Sequence, residues 1–198
     1  NQAYGYLFPQ GSFAWVGELL GLPAWVVQRL WVAVVLVVAY EGVRRLFLAL
    51  PGHGPWPSRS GAAVLAGLVY AAAPRVGGIA GVLSSEVTPP ALLPWAVLAV
   101  VSHATGRVSA RTAGLAVGAA FLGMGGVNAV AVIACLPLVV LSIVGTVPAG
   151  SRRPIAAWTT LGVGAAVLWW MGPLVLLGRY SPPFLDFIET SDATTAPL

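Results

Sequence analysis

Charged side chains make up only 8% of this 198-residue chain, against 58% hydrophobic ones. That ratio restricts the fold more than any motif does. A soluble domain carries about 25% charged residues, and this chain lacks the polar groups to clothe a water-facing surface. A water-soluble enzyme, a disordered tail and a nucleic-acid module are therefore excluded, and the mean hydropathy of +0.88 points to an integral membrane protein. The pI of 9.8 does not rescue a nucleic-acid reading. All ten basic residues are arginines, scattered between apolar stretches with no run longer than a pair, whereas a nucleic-acid footprint is clustered. A single cysteine, Cys135, excludes an intrachain disulfide and reads as a packed thiol in an apolar run.

Hydropathy marks about six candidate spans, 23–40, 61–75, 89–102, 112–124, 127–147 and 155–177. A helix needs roughly 20 apolar residues to cross a bilayer. The first, fifth and sixth spans reach that length, and the other three are short and punctuated by proline or glycine. The sequence therefore predicts an all-α polytopic transmembrane bundle. Residues 1–20 are expected to form an outer interfacial segment, 23–177 the transmembrane helices, and 178–198 an outer loop. The break at Gly123-Met124-Gly125-Gly126 leaves residues 112–147 as two helices in a tight hairpin or one broken helix. Residues 76–90, rich in Gly, Ser and Pro, read as a loop. Small-xxx-small spacings at Gly77/Gly81 and Gly114/Gly118 read as helix packing.

Six crossings put Arg44, Arg45, Arg59, Arg107, Arg111, Arg152 and Arg153 on one side, with Arg75 and Arg179 on the other and Arg29 just inside the first span. Arginine enrichment in cytoplasmic loops makes the seven-arginine side the inner one and leaves both ends of the chain outside. Glu18, Glu86, Asp186, Glu189 and Asp192 then fall on the outer side. Residues 1–20 carry Tyr4, Tyr6, Phe8, Phe13 and Trp15 with a single charge, Glu18, a composition suited to the headgroup level.

The outer side is where chemistry is expected. The later spans hold no ionisable residue between their ends, which argues against an ion-coupled transporter. No soluble-enzyme motif is present. His53 and His103 have no ligand-spaced partners, so the sequence indicates no metal site, identifies no cofactor, and leaves a divalent cation open. Arg29, Arg75 and Arg179 can grip a phosphate bidentately or simply snorkel to lipid headgroups. Asp186 and Glu189, three apart, would share a helix face and could act as base, ligand or sugar-orienting group, or form a wet face. Glu86, after two serines, could accept sugar hydroxyls or cap a helix.

Several blocks resemble the actinobacterial arabinofuranosyltransferase D family. They are Asn1–Gly11 (NQAYGYLFPQG), Gly21–Trp31 (GLPAWVVQRLW), Pro74-Arg75-Val76, Ser84-Ser85-Glu86 and Gly178–Phe184 (GRYSPPF), spread along nearly the whole chain. The resemblance implies a GT-C membrane glycosyltransferase working at the outer face of the plasma membrane. Its donor would be decaprenylphosphoryl-arabinose and its acceptor the arabinan of arabinogalactan or lipoarabinomannan, by an inverting mechanism. Family members can associate with an acyl carrier protein on the cytoplasmic side. The resemblance places a catalytic Asp upstream of Asn1, after a further helix, so the 198 residues alone are expected to be an inactive fragment. It places a second active-site acid at Glu189, with Asp186 as the alternative. The competing expectations are a lipid or solute carrier and a membrane anchor without chemistry.

Overall fold

The computed structural model describes residues 5–51, 59–81 and 84–180. An irregular helical turn, Leu7–Gly11, precedes seven α-helices: α1 (Ser12–Leu19), α2 (Ala24–Ala49), α3 (Arg59–Ala72), α4 (Ser84–Ala104), α5 (Ala110–Met124), α6 (Ala129–Thr146) and α7 (Arg152–Tyr180). No strand occurs among the described residues, so the chain is all-α, as its apolar runs require. Helices α2, α4, α6 and α7 are long and apolar enough to cross a membrane, while α3 and α5 are shorter apolar helices. The chain is a multi-pass membrane protein.

Local chemistry sets several of these boundaries. The Ser109 hydroxyl accepts the Thr112 amide at 3.1 Å and opens α5, and the Asn128 side chain accepts the Ala131 amide at 3.0 Å and opens α6. Each satisfies an amide that has no partner within its helix. Gly125, at φ +76°, closes α5. A Cβ there would also lie 2.9 Å from the Phe8 carbonyl oxygen, so the residue must be glycine on two counts.

Helix α4 differs most from its expected shape. It begins at Ser84 and carries Pro89, Pro90 and Pro94 inside it, so half of the expected 76–90 loop is helix. Proline has no amide N–H and orphans the carbonyl four residues earlier. Pro94 thus frees the Pro90 carbonyl, and that oxygen accepts the Tyr70 hydroxyl of α3 at 2.8 Å. One residue on, the Trp95 indole donates to the Val38 carbonyl of α2 at 2.9 Å. Three helices are pinned together by two side-chain donors where water cannot serve. α4 also packs on α5 and α6, and half of its apolar window is buried, against 28% or less in the other long helices. It is the hub of the bundle.

The same contacts fix the helix directions. Gly67 of α3 lies against Tyr40 of α2, and Arg59 donates to the Phe47, Leu48 and Leu50 carbonyls at the end of α2, so α2 and α3 run antiparallel. Gly123 of α5 meets Leu92 of α4, an antiparallel pair. Gly114 and Gly118 of α5 meet Trp158, Thr159 and Gly162 of α7, a parallel pair. This alternation gathers all seven inner-side arginines of the sequence reading at one end of the bundle. Two of them cap helices there: Arg59 on α2, and Arg152, which donates to the Val144 and Val147 carbonyls of α6 at 2.8 and 2.9 Å. Arg44 and Arg45 share Glu41, at 2.7 and 2.6 Å.

The Gly123–Gly126 break separates two helices, but not a tight hairpin. α5 packs mainly on α7 and α4, whereas α6 packs on α4. The reason is steric. Backbone-to-backbone approach at Gly118 and Gly162, where an added Cβ would meet the facing glycine's backbone at 2.6 Å, seats α7 on the face that α6 would need. The Gly114/Gly118 spacing is thus a packing device. Gly77/Gly81 is not, since a Cβ at Gly77 has its nearest atoms in the Ala71 and Ala72 backbone at the end of α3, and one at Gly81 meets nothing within 4 Å. Cys135 is a buried free thiol on α6.

Gly118→Ala should therefore lower stability by about 1–3 kcal/mol, because the clashing atoms are backbone and cannot rotate away. Gly164→Ala, with nothing within 4 Å of the added methyl, should leave the melting temperature unchanged or raise it. Thermal unfolding in one detergent distinguishes them, and equal melting of the two variants would contradict the close crossing.

Candidate functional site at the end of the bundle opposite the arginine cluster

The opposite end of the bundle gathers the Leu7–Gly11 turn, α1, the starts of α2, α4 and α6, and the end of α5. Here Phe13 of α1 packs on Trp31 of α2, ring centroids 5.3 Å apart at 53°. The N-terminal segment is thereby held over the bundle. Trp15, Leu19, Leu20 and Trp25 point outward and are 61–69% exposed, as expected of an amphipathic interfacial element.

Between these elements lies a small cleft lined in part by Phe8, Gln10, Trp31, Ser85, Thr88 and Met124. Ser85 and Thr88 lie three residues apart on α4 and so share a face. Every lining residue among those described is uncharged. The usable space of the cleft, about 10 Å³, has room for about one water molecule.

Two of the expected outer charges meet. Arg75 stands in the helical turn Pro74–Gly78 after α3, Glu86 in the first turn of α4, and their charged groups lie 3.5 Å apart. An acid in a helix's first turn complements the positive helix end, so Glu86 suits this place on structural grounds alone. The pair is loose, with the Arg75 side chain 69% exposed and Glu86 31%, which leaves the guanidinium free to take another anion.

Arg29 is not part of that pair. It is exposed on α2, its guanidinium carbon 5.0 Å from the centre of the Trp25 ring, a cation–π contact at the membrane-interface end of the helix. Arg179 is exposed in the last turn of α7, which continues to Tyr180 and so makes the start of the expected outer loop helical. Glu189 and Asp186, together with Asp192 and His53, lie outside the described residues. His103 stands in the last turn of α4. Its Nδ1 is 3.1 Å from the Val108 carbonyl oxygen. Among the described residues no group of three His, Cys, Asp or Glu could hold a metal ion.

Residues 1–198, the whole chain, match the family described as α-(1→3)-arabinofuranosyltransferase, N-terminal GT-C domain. The chain belongs to that family. It is 43% identical to the α-(1→3)-arabinofuranosyltransferases of Mycolicibacterium smegmatis and Mycobacterium tuberculosis, matching over 98% of its own length. It spans only 13% and 14% of those relatives. Its fold is that of the cryo-EM structure of the mycobacterial arabinofuranosyltransferase AftD, with a TM-score of 0.84 at 38% identity over 96% of this chain and 14% of the other. A point mutant of that enzyme gives a TM-score of 0.85 at 39% identity, over 95% of this chain and 15% of the other. The chain is thus a GT-C-type transmembrane bundle from a glycosyltransferase family.

Sequence reasoning found both members of the Arg75–Glu86 pair but not their meeting, and it missed the cleft. The Ser85/Thr88 spacing was a usable signal. It was hidden because Pro89-Pro90 and the preceding glycines and serines read as loop, and only a helix puts the two hydroxyls on one face.

An exposed pair of this kind is worth less than about 1 kcal/mol. Glu86→Gln should therefore shift stability by no more than about 0.5 kcal/mol, measured by thermal melting. A large loss of stability would show the pair to be a structural clamp and not an available cation.

Proposed function

We propose that this chain forms part of the transmembrane domain of an enzyme that transfers arabinofuranose from decaprenylphosphoryl-arabinose to cell-wall arabinan. The work is done at the outer face of the plasma membrane. The supporting observation is the match of all 198 residues to an arabinofuranosyltransferase GT-C domain. The cleft and the three outer-side arginines stand at the end of the bundle away from the seven inner ones. On this reading both ends of the chain are outside, residues 1–20 lie at the outer headgroups, 23–177 cross, and 178–198 form the outer acidic segment. An acyl carrier protein would meet the opposite, arginine-rich face.

The reaction is an inverting displacement. A carboxylate takes the proton from an acceptor hydroxyl, and that oxygen bonds to the anomeric carbon. The anomeric carbon–phosphate oxygen bond breaks, and the polyprenyl phosphate leaves with the electron pair. The active-site acid contributed by this segment is Glu189, with Asp186 as the alternative. Arg75, loosely paired and exposed, is the foremost candidate to hold the departing phosphate, and Arg29 and Arg179 are the further candidates, because a fixed cation stabilises charge that develops on the leaving group.

In the full-length protein, Glu189→Gln should lower transfer by at least about a hundredfold, the usual contribution of a positioned acid or base, without loss of folding. Arg75→Gln should raise the KM for the lipid donor by about tenfold, the worth of one hydrogen bond to a charged group. Radiolabelled arabinose transfer measures both. Wild-type turnover in Glu189→Gln would remove that residue from the site.

A further inference from the structure

Three arginines at the end of the bundle where α5 and α7 begin have no counter-charge. Arg107, Arg111 and Arg153 are exposed, and none takes part in a hydrogen bond or an ion pair among the described residues. Glu41 is the one described acid at that end, and Arg44 and Arg45 already share it. α5 and α7 run parallel, so their positive ends stand on the same side, and neither has an acid in its first turn. Cations left uncompensated in this way attract an anion from outside these helices.

One of the three is held in place. The Arg111 guanidinium carbon lies 5.3 Å from the centre of the Trp158 ring of α7. A guanidinium resting on a ring keeps its N–H donors free to grip a phosphate with two parallel bonds. Tryptophan is favoured at the headgroup level of a membrane, so the pair marks that level. One turn deeper, Leu115 follows Arg111 on its face of α5, and Leu161 follows Trp158 on its face of α7. These leucines are 45% and 62% exposed. A cation at headgroup level that runs directly into exposed apolar surface matches a molecule with an anionic head and hydrocarbon chains. An acidic protein in water would use the arginines but not the leucines beneath them, and the lipid uses both.

We infer that Arg111 and Trp158 form a docking site for one anionic phospholipid, its phosphate on the Arg111 fork and an acyl chain along Leu115 and Leu161. Arg107 and Arg153 supply the surrounding positive potential. The lipid belongs to the leaflet on the arginine-rich side. The site requires only the membrane-spanning bundle and is independent of the sugar-transfer reading.

The test titrates delipidated full-length protein in detergent with phosphatidylglycerol, or with phosphatidylcholine of the same chains, and counts bound lipids by native mass spectrometry. Wild type should hold its first phosphatidylglycerol more tightly than its first phosphatidylcholine. Arg111→Gln should weaken phosphatidylglycerol binding about fivefold, the worth of one basic residue beside an anionic headgroup, and leave phosphatidylcholine binding unchanged. Arg111→Lys keeps the charge but loses the planar fork, and should weaken it at least about twofold. Melting of each variant checks folding, and Arg111→Lys serves alone if Arg111→Gln does not fold. Glycerol 3-phosphate, the head without its chains, should displace the lipid only poorly. Equal binding of the two lipids by wild type overturns the inference, as does phosphatidylglycerol binding that survives unchanged in a folded Arg111→Gln. Wild-type affinity in Arg111→Lys would reduce the site to diffuse surface charge and overturns it too. Glycerol 3-phosphate that competes as well as the lipid makes the site one for a free anion, against the inference. Polyglutamate binding that Arg111→Gln abolishes, with no preference for phosphatidylglycerol, gives the face to an acidic protein instead.

Discussion

Every backbone carbonyl inside a bilayer must find a donor within the protein, and this chain has few donors to offer. That shortage organises the bundle. Three prolines interrupt the hydrogen-bond ladder of α4, and the carbonyl freed by Pro94 is taken up by Tyr70. Trp95 reaches across to α2. At the inner end of the sequence reading, Arg59 and Arg152 cap the carbonyl ends of α2 and α6. A helix so interrupted would be a poor element by itself. Surrounded by donors from its neighbours, it becomes the hub on which α2, α5 and α6 rest.

That economy gives the two ends of the bundle different characters. At one end most of the arginines are engaged with carbonyls, with Glu41, or with the faces of Trp95 and Trp158, as Arg45 and Arg111 are at 5.3 Å each. At the other, Arg75 has only a loose acid partner and Arg29 only an aromatic face. The buried indole N–H of Trp31 has no acceptor among the described residues.

Much of this was legible in the sequence, because apolar runs are long-range constraints. The runs at 23–40, 127–147 and 155–177 had to become helices, and the arginine pattern assigned them alternate directions that the Gly118–Gly162, Gly67–Tyr40 and Gly123–Leu92 contacts repeat. What stayed hidden depended on partners distant in sequence. The start of α4 at Ser84 looks like a turn until Tyr70 is seen to repair its broken ladder. The separation of α5 from α6 follows from α7, which no local pattern near Gly125 reveals. Arg75 and Glu86 were singled out for their charge, but their distance depends on how the chain turns between α3 and α4. Trp31 belonged to a recognisable block, yet nothing in its neighbours announced an unsatisfied N–H. Glu189 and Asp186, which rest on the family resemblance, lie outside the described residues.

The account stands on the assignment of the two faces. The measurement that tests it most directly is labelling by a membrane-impermeant maleimide in intact cells. In a Cys135→Ala background, single cysteines would be placed at Gly21 beside the outer cleft elements and at Ser151 beside the arginine cap of α6. Gly21→Cys should label in intact cells, and Ser151→Cys only after the membrane is permeabilised. Labelling of Ser151→Cys but not Gly21→Cys in intact cells would turn the bundle over and place Arg29, Arg75 and Arg179 on the wrong side for the proposed chemistry.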